Sequence, residues 1–218
     1  MLPNTLEPVE VRVLGSLIEK KLSTPDHYPL SLNALTAACN QSSNRDPVMA
    51  LEEGAVSQAI DTLRRQGLVR SIQAIGSRVP KYQHLLAEAG ELTRAELAVL
   101  SVLTLRGQQT QAEVRTRAAR LMPADDPSGV DAALEGLMAR ESQPLVARLA
   151  RRPGQKEPRY AHLLAGDVTE AIDVAPLQPQ STATAAERIT ALEELVQELR
   201  NEVADLRSQL AAFRKQFE

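Results

Sequence analysis

An internal repeat is the feature that most restricts how this chain can fold. The octet VPKYQHLL (79–86) returns further along the chain as EPRYAHLL (157–164). At six of the eight positions the two copies are identical or exchange lysine for arginine. Self-similarity of this kind indicates one structural unit used twice. We therefore predict two consecutive domains of the same fold, in residues 1–88 and 89–165.

Three segments precede each octet in the same order, and each predicts a helix. Their apolar residues recur at helical spacing. In the second copy Thr93 with Glu96, and Thr110 with Glu113, have the spacing of capping boxes, which start helices. The six predicted helices lie in residues 6–17, 31–40, 54–69, 92–103, 110–121 and 128–146.

A short strand follows each third helix, as LVRSI (68–72) and LVARL (145–149). A glycine-containing turn comes next, and then the octet, in which Tyr82, His84 and Leu86 alternate onto one face. The octet therefore predicts the second strand of a hairpin. Together these patterns predict a mainly α protein with small β-hairpins, an α+β fold. The order of elements is that of two tandem winged helix-turn-helix domains.

The end of the chain has a different character. Residues 166–184 are rich in small polar residues and prolines, which is typical of a flexible linker. In residues 185–218 apolar side chains repeat with 3-4 spacing, which predicts a coiled-coil helix and a parallel homodimer. The alternative is a single amphipathic helix that folds back on its own domains.

Charge and composition exclude some classes of protein. The net charge is −3, and the two predicted domains carry balanced charges, which argues against a polycation that binds nucleic acid tightly and without specificity. Cys39 is the only cysteine, so an internal disulfide cannot form, and a buried thiol is expected. The N-terminus has no secretory signal pattern, and no apolar run is as long as a membrane span. We expect a soluble, cytoplasmic protein.

Two stretches make the chain resemble a known family. They are EVRVLGSLIEKKLSTPDHYPLSLNALTAACNQSSNRDP (10–47) and PKYQHLL (80–86), and through them residues 6–165 resemble the YceH-like family of uncharacterised bacterial proteins. The resemblance implies a tandem winged-helix fold, in agreement with the repeat. It implies no established biochemical activity, so function has to be argued from the residues.

The polar stretch NQSSNRDP (40–47), between the second and third helices of the first copy, is a candidate binding loop. It is predicted to contact phosphates or bases, or to dock a partner protein. The alternative is a loop held together by its own turns and caps. The candidate residues, which also fit the family pattern, are Asn40, Gln41, Ser43, Asn44 and Arg45.

The third helix of the first copy is the candidate for reading DNA. Ser57 and Gln58 lie outside its apolar stripe and could meet base edges, and Arg64 with Arg65 could hold the DNA backbone. Against this interpretation, the acidic pair at residues 52–53 would repel phosphate at the start of the helix.

The second hairpin is the strongest basic segment of the sequence. We expect it to lie along a DNA backbone, although a charged hairpin tip can also simply be solvated. Its cations are Arg148, Arg151, Arg152, Lys156 and Arg159.

Catalytic and metal-binding patterns are missing from the sequence. His84 and His162 are predicted to pack on the helices, each with a hydrogen bond at the tip of its ring. No ligand cluster has the spacing of a metal site, and no nucleophile or phosphate-loop motif occurs, so we expect no metal, no cofactor and no enzymatic activity.

Two functions remain, and they belong to different classes. The first is a dimeric protein that binds double-stranded DNA, either a transcriptional regulator or a nucleoid-associated factor. The second is a protein-interaction scaffold without direct DNA binding, like the tandem winged-helix subunits of bacterial condensin. The fold alone does not choose between them, because winged helices serve both roles.

Overall fold

A computed structural model describes residues 5–73, 79–122, 129–141, 143–151 and 155–166. In these residues the fold is mixed α+β, with two small antiparallel sheets, as the sequence predicts. The predictions of a linker and a coiled-coil helix fall, apart from the first residue of the linker, outside the described residues.

The first copy of the repeat contains three α-helices and one three-stranded sheet. Strand β3 pairs with both β1 and β2, giving the strand order β1-β3-β2. A single 3-10 turn at Pro25–His27 connects the first helix to the first strand. In chain order the elements are α1 (Pro8–Ser23), β1 (Leu30–Ser31), α2 (Leu32–Cys39), α3 (Glu53–Arg65), β2 (Val69–Ile72) and β3 (Lys81–His84).

A short helix, α4 (Leu86–Gly90), leads into the second copy, which repeats the same order. Its sheet has the order β4-β6-β5, so the middle strand is again the last one in the chain. The 3-10 turn of this copy, Ala119–Leu121, directly follows its second helix. The elements are α5 (Arg94–Arg106), β4 (Gln109–Thr110), α6 (Gln111–Ala118), α7 (Gly129–Met138), β5 (Val146–Arg148) and β6 (Arg159–His162).

The local signals in the sequence account for these elements. Both predicted capping boxes are present, with Thr93 accepting from the backbone N–H of Glu96 at 3.3 Å and Thr110 from that of Glu113 at 3.3 Å. Each octet forms the outgoing strand of its hairpin, as predicted. The sequence did not predict the two-residue strands β1 and β4 or the short helix α4.

Helices α1 and α5 form the centre of the described structure. Both are buried almost all round, with unbroken buried runs over 10–18 in α1 and 97–105 in α5. Helix α3 packs on α1, helix α7 packs on α5, and α1 packs on α5. The two copies therefore meet through their first helices, and their third helices lie outside this central pair.

Gly15 permits the close crossing of α1 and α5. A Cβ atom at this position would lie 2.5 Å from Thr104 Oγ1 and 3.1 Å from Leu105 Cδ2. The Thr104 hydroxyl is itself fixed, because it donates to the carbonyl of Leu100 at 2.8 Å. The crossing has no room for a side chain.

We predict that Gly15→Ala destabilises the protein by about 1–3 kcal/mol, because the added methyl forces the two helices apart. Gly54→Ala is the matched control. Gly54 lies in α3 with open space around its Cα, so the same change should be neutral or should stabilise by up to about 1 kcal/mol. Urea unfolding of both variants measures the difference, and equal effects would contradict the account of the crossing.

The histidines of the two octets are packing residues, but the predicted hydrogen bond at the ring of His84 is absent. His84 is 0% exposed, and among the described residues neither of its ring nitrogens has a hydrogen-bond partner. Its backbone N–H donates instead to the hydroxyl of Tyr28 at 2.7 Å. Burial, and secondarily the charge of Lys21, lowers the pKa of His84 to about 3.

A lowered pKa makes His84 a source of acid sensitivity. In the unfolded chain the pKa of this histidine is about 6.5, so below that pH the unfolded chain binds a proton at His84 and the folded chain does not. The free energy of unfolding therefore falls as the pH falls toward 3. We predict that His84→Met, compared with wild type, removes roughly 2–4 kcal/mol of this loss between pH 7 and pH 4. Unfolding free energies of the wild type and of His84→Met across this pH range test the prediction, and equal pH dependences would contradict it.

Candidate nucleic-acid and partner-binding surfaces

A buried arginine of α1 binds the polar loop between α2 and α3, residues 40–52. Arg12 is 2% exposed. Its guanidinium donates to the carbonyls of Cys39 at 3.1 Å and Pro47 at 2.6 Å, one at each end of the candidate segment. Cys39 is a buried free thiol, as expected, and burial raises its pKa.

Arg45 is the second buried arginine, and it is a structural residue of the loop. It forms two parallel hydrogen bonds with the carboxylate of Glu19 in α1, Nη1–Oε1 at 3.0 Å and Nη2–Oε2 at 2.6 Å. Its Nε and Nη2 also donate to the carbonyl of Ala38 at 3.0 and 2.8 Å. A bidentate pair of this geometry is strong and directional. The guanidinium is thus enclosed by protein acceptors, and the predicted phosphate or base contact by Arg45 is not available to it.

Three more of the candidate loop residues are occupied within the protein. The amide of Asn40 pairs with the backbone of Leu51, donating at 2.8 Å and accepting at 2.8 Å. Gln41 accepts from Arg45 at 3.1 Å. Asn44 has a left-handed backbone, φ 60°, and accepts a hydrogen bond from Arg106 of the second copy.

The loop therefore joins the two copies. In addition to the contact of Asn44, the backbone N–H of Asp46 donates to the carbonyl of Leu105 at 2.9 Å. Of the five residues predicted to bind a partner here, Ser43 and Asn44 are the exposed ones. The alternative of a loop held together within the protein therefore describes residues 40–47 better. Buried arginines, rather than turns and caps, are the main support of this loop.

We predict that Arg45→Met destabilises the protein by roughly 3–5 kcal/mol, because it leaves the carboxylate of Glu19 without its buried partner. Arg64→Met, which removes an exposed pair with Asp61 at 3.2 Å, should cost at most about 1 kcal/mol. Chemical unfolding of both variants gives the comparison. A stable Arg45→Met protein that has lost a binding activity would show that Arg45 serves a ligand instead.

The outer face of α3 remains open. Gln58, Arg64 and Arg65 are exposed, and Ser57 is half-buried. Arg65 makes a local hydrogen bond to Thr62 at 3.0 Å, and Arg64 makes the exposed pair with Asp61. Both arginines can exchange these weak local contacts for a phosphate, because surface pairs contribute little.

An open groove links the end of α3 to the first hairpin. Its lining includes Asp61, Arg64 and Arg65 from the helix, and Arg70 with Ser71 from β2. Arg70 is exposed and was missed in the sequence. The alternation of LVRSI could have identified it, since buried Val69 places its neighbour on the outer face.

Three cations of the second hairpin are exposed to solvent. Arg148, Arg151 and Lys156 are exposed, whereas Arg152 lies outside the described residues. Arg159 is partly enclosed: it donates to the carbonyl of Gln108 at 3.0 Å. Among the described residues, three cations of this hairpin are thus open to solvent.

In the described part of the chain, no helix is long and apolar enough to cross a membrane. Nor do three or more His, Cys, Asp or Glu side chains converge there as they would around a metal ion.

Comparison with known proteins places the chain among bacterial relatives. Residues 6–155 match the family model described as "Protein of unknown function, DUF480". Proteins named UPF0502 from Pelobacter propionicus and Geobacter sulfurreducens are both 51% identical to this chain, over 98% of its length and 98% of their own. A UPF0502 protein of Vibrio atlanticus is 46% identical over 93% of this chain and 95% of its own.

These similarities confirm the family expected from residues 10–47 and 80–86. The similarity also extends past residue 165, where the resemblance ended. At 98% coverage the alignments reach into residues 185–218. The family description and the relatives' names state no enzymatic activity. The chain belongs to the DUF480/UPF0502 family of bacterial proteins.

Proposed function

We propose that the chain is a double-stranded DNA-binding protein built from two tandem winged helix-turn-helix units. The support is topological: in each copy three helices precede a hairpin, and a two-residue strand before the second helix joins that hairpin to make three strands. In the winged helix-turn-helix order the third helix is the recognition helix, and the hairpin is the wing.

The observation that carries the proposal is the basic groove between α3 and β2. Arg64 and Arg65 at the end of the recognition helix and Arg70 on the wing strand line one open surface. In this arrangement Gln58, exposed earlier on α3, reads a base edge, and the three arginines hold phosphates on the flank of the same major groove.

The second copy has a different part in this proposal. Its third helix, α7, carries Asp131, which is paired with Arg115 at 2.5 Å, and an exposed Glu135, so this helix repels phosphate. Its hairpin, with Arg148 and Arg151, is basic. We therefore assign base reading to the first copy and backbone contact to the wing of the second.

A protein-docking function is the second candidate, and one observation favours it. Val48 and Val79 are the large apolar side chains exposed in the described residues, at 58% and 56%. Val48 lies in the loop just before the acidic start of α3, where Glu52 and Glu53 are also exposed. An apolar side chain beside carboxylates suits a basic protein partner better than DNA.

Homodimerisation through residues 185–218 and a cytoplasmic location remain predictions from the sequence. In the proposal the dimer supplies two copies of the α3 groove, as pseudo-palindromic operators require. A dimeric regulator or nucleoid-associated factor is the form of DNA-binding protein that this would produce.

The test is fluorescence anisotropy with a random-sequence duplex, measured at several salt concentrations. Wild type should bind with an affinity that falls linearly in log salt, because counterions are released from the phosphates. Arg64→Gln/Arg65→Gln should weaken binding and reduce the salt slope by about 2 for each protomer that contacts the DNA, one for each lost phosphate contact.

Arg115→Gln is the control, since this exposed arginine of α6 is paired with Asp131 of α7, and the proposal leaves both helices away from the DNA. It should bind like wild type. No binding of the wild type at low salt would contradict the DNA proposal. Binding of a protein partner by the wild type, together with loss of that binding in Val48→Ser, would then support the docking function.

A further inference from the structure

A small cavity of about 80 Å³ lies where the two copies meet. Four parts of the fold line it: the last turns of α1, the loop 40–52, the second half of α5, and α6 with its 3-10 turn. The cavity is separate from the groove at α3 and β2, because no residue lines both. Nothing in the proposed function uses it.

The charge around this cavity is strongly positive. Arg106, Arg117 and Arg120 all line it, and Glu19 is the one carboxylate in the lining. That carboxylate is already committed to Arg45, at 2.6 Å. Burial, and next the charge of Arg117, lowers the pKa of Arg106. Three arginines thus line a cavity whose one lining carboxylate is already paired, so an anion bound there offsets their charge.

Two polar atoms of the lining point to the same conclusion. Ser101 is 1% exposed, and its Oγ has no hydrogen-bond partner among the described residues. The Nη1 of Arg117 is likewise buried and without a partner there, while its Nη2 reaches Glu113 at 3.5 Å. A buried polar group left without a partner destabilises the fold, so two at one cavity call for a ligand that accepts hydrogen bonds.

We propose that this cavity is a binding site for a tetrahedral oxyanion, either inorganic phosphate or the phosphate group of a small phosphomonoester. Guanidinium groups donate in planar forks that match the oxygen pairs of phosphate, and the Ser101 hydroxyl adds a donor from the buried side. A carboxylate offers two oxygens, too few for three arginines and a hydroxyl. The cavity holds a few waters' worth of space, which fits a single phosphate group.

The site belongs to both copies at once. Asn44 of the first copy accepts from Arg106, and both side chains line the cavity together with Glu19 of α1 and Ser101 of α5. A bound anion therefore ties the loop of one copy to the helices of the other. Its occupancy stabilises the junction, and with it the spacing of the two DNA-contacting surfaces proposed above.

The test uses the full chain, dialysed free of phosphate and without DNA. Inorganic phosphate, compared with chloride at equal ionic strength, should give saturable heat in titration calorimetry and should raise the Tm as mass action requires. Glycerol phosphate is the second ligand: saturable binding of it as well assigns a phosphomonoester, and binding of inorganic phosphate alone assigns the free ion.

Two variants and one control decide where the anion binds. Arg120→Gln and Ser101→Ala should each weaken phosphate binding by about tenfold or more, as loss of a charge-assisted hydrogen bond does. Arg64→Gln/Arg65→Gln, in the separate groove, should bind phosphate like wild type. The proposal is overturned if phosphate acts no differently from chloride, or if the groove variant loses as much binding as Arg120→Gln.

Discussion

The ion pair between Arg45 and Glu19 is the interaction on which the rest of the described structure depends. It joins the loop 40–52 to α1 through two short hydrogen bonds in a buried setting, and Arg12 fixes the same loop at Cys39 and Pro47. A buried charge pair stabilises only when its remaining donors are satisfied, and here the Ala38 carbonyl accepts two of them. The loop that this pair anchors leads directly into the start of α3.

The same loop adds a second contact between the two copies, beside the packing of α1 on α5. Its Asp46 N–H bonds to Leu105, and its Asn44 bonds to Arg106, at the end of α5 where Gly15 lets α1 approach closely. A segment that looks like a ligand-binding loop in sequence is thus the connector between copies. The surfaces left for function are those that this packing does not use: the α3 groove, the second hairpin and the anion cavity at the junction.

Local signals in the sequence predicted most of the fold, because capping boxes, helical spacing and strand alternation act within a few residues. Two-residue strands such as β1 carry no such signal and exist only because β3 pairs with them. The role of Arg45 could not be predicted, since its partner Glu19 lies 26 positions away and polar density in a loop does not reveal burial. Helical spacing and the basic composition of the second hairpin were enough to identify the exposed candidates on α3 and on that hairpin. Ser101 and Arg117 could not be identified in this way, because four separate parts of the fold bring the cavity together.

Hydrogen exchange of the full chain, with and without a short duplex at low salt, tests whether the α3 groove is the DNA-binding surface. We expect DNA to slow exchange in residues 57–72, which contain the α3 groove and strand β2, and to leave residues 40–47 unchanged because that loop is already fixed by Arg12 and Arg45. Protection confined to residues 40–53, or no protection anywhere in the first copy, would contradict the assignment of the α3 groove as the DNA-binding surface.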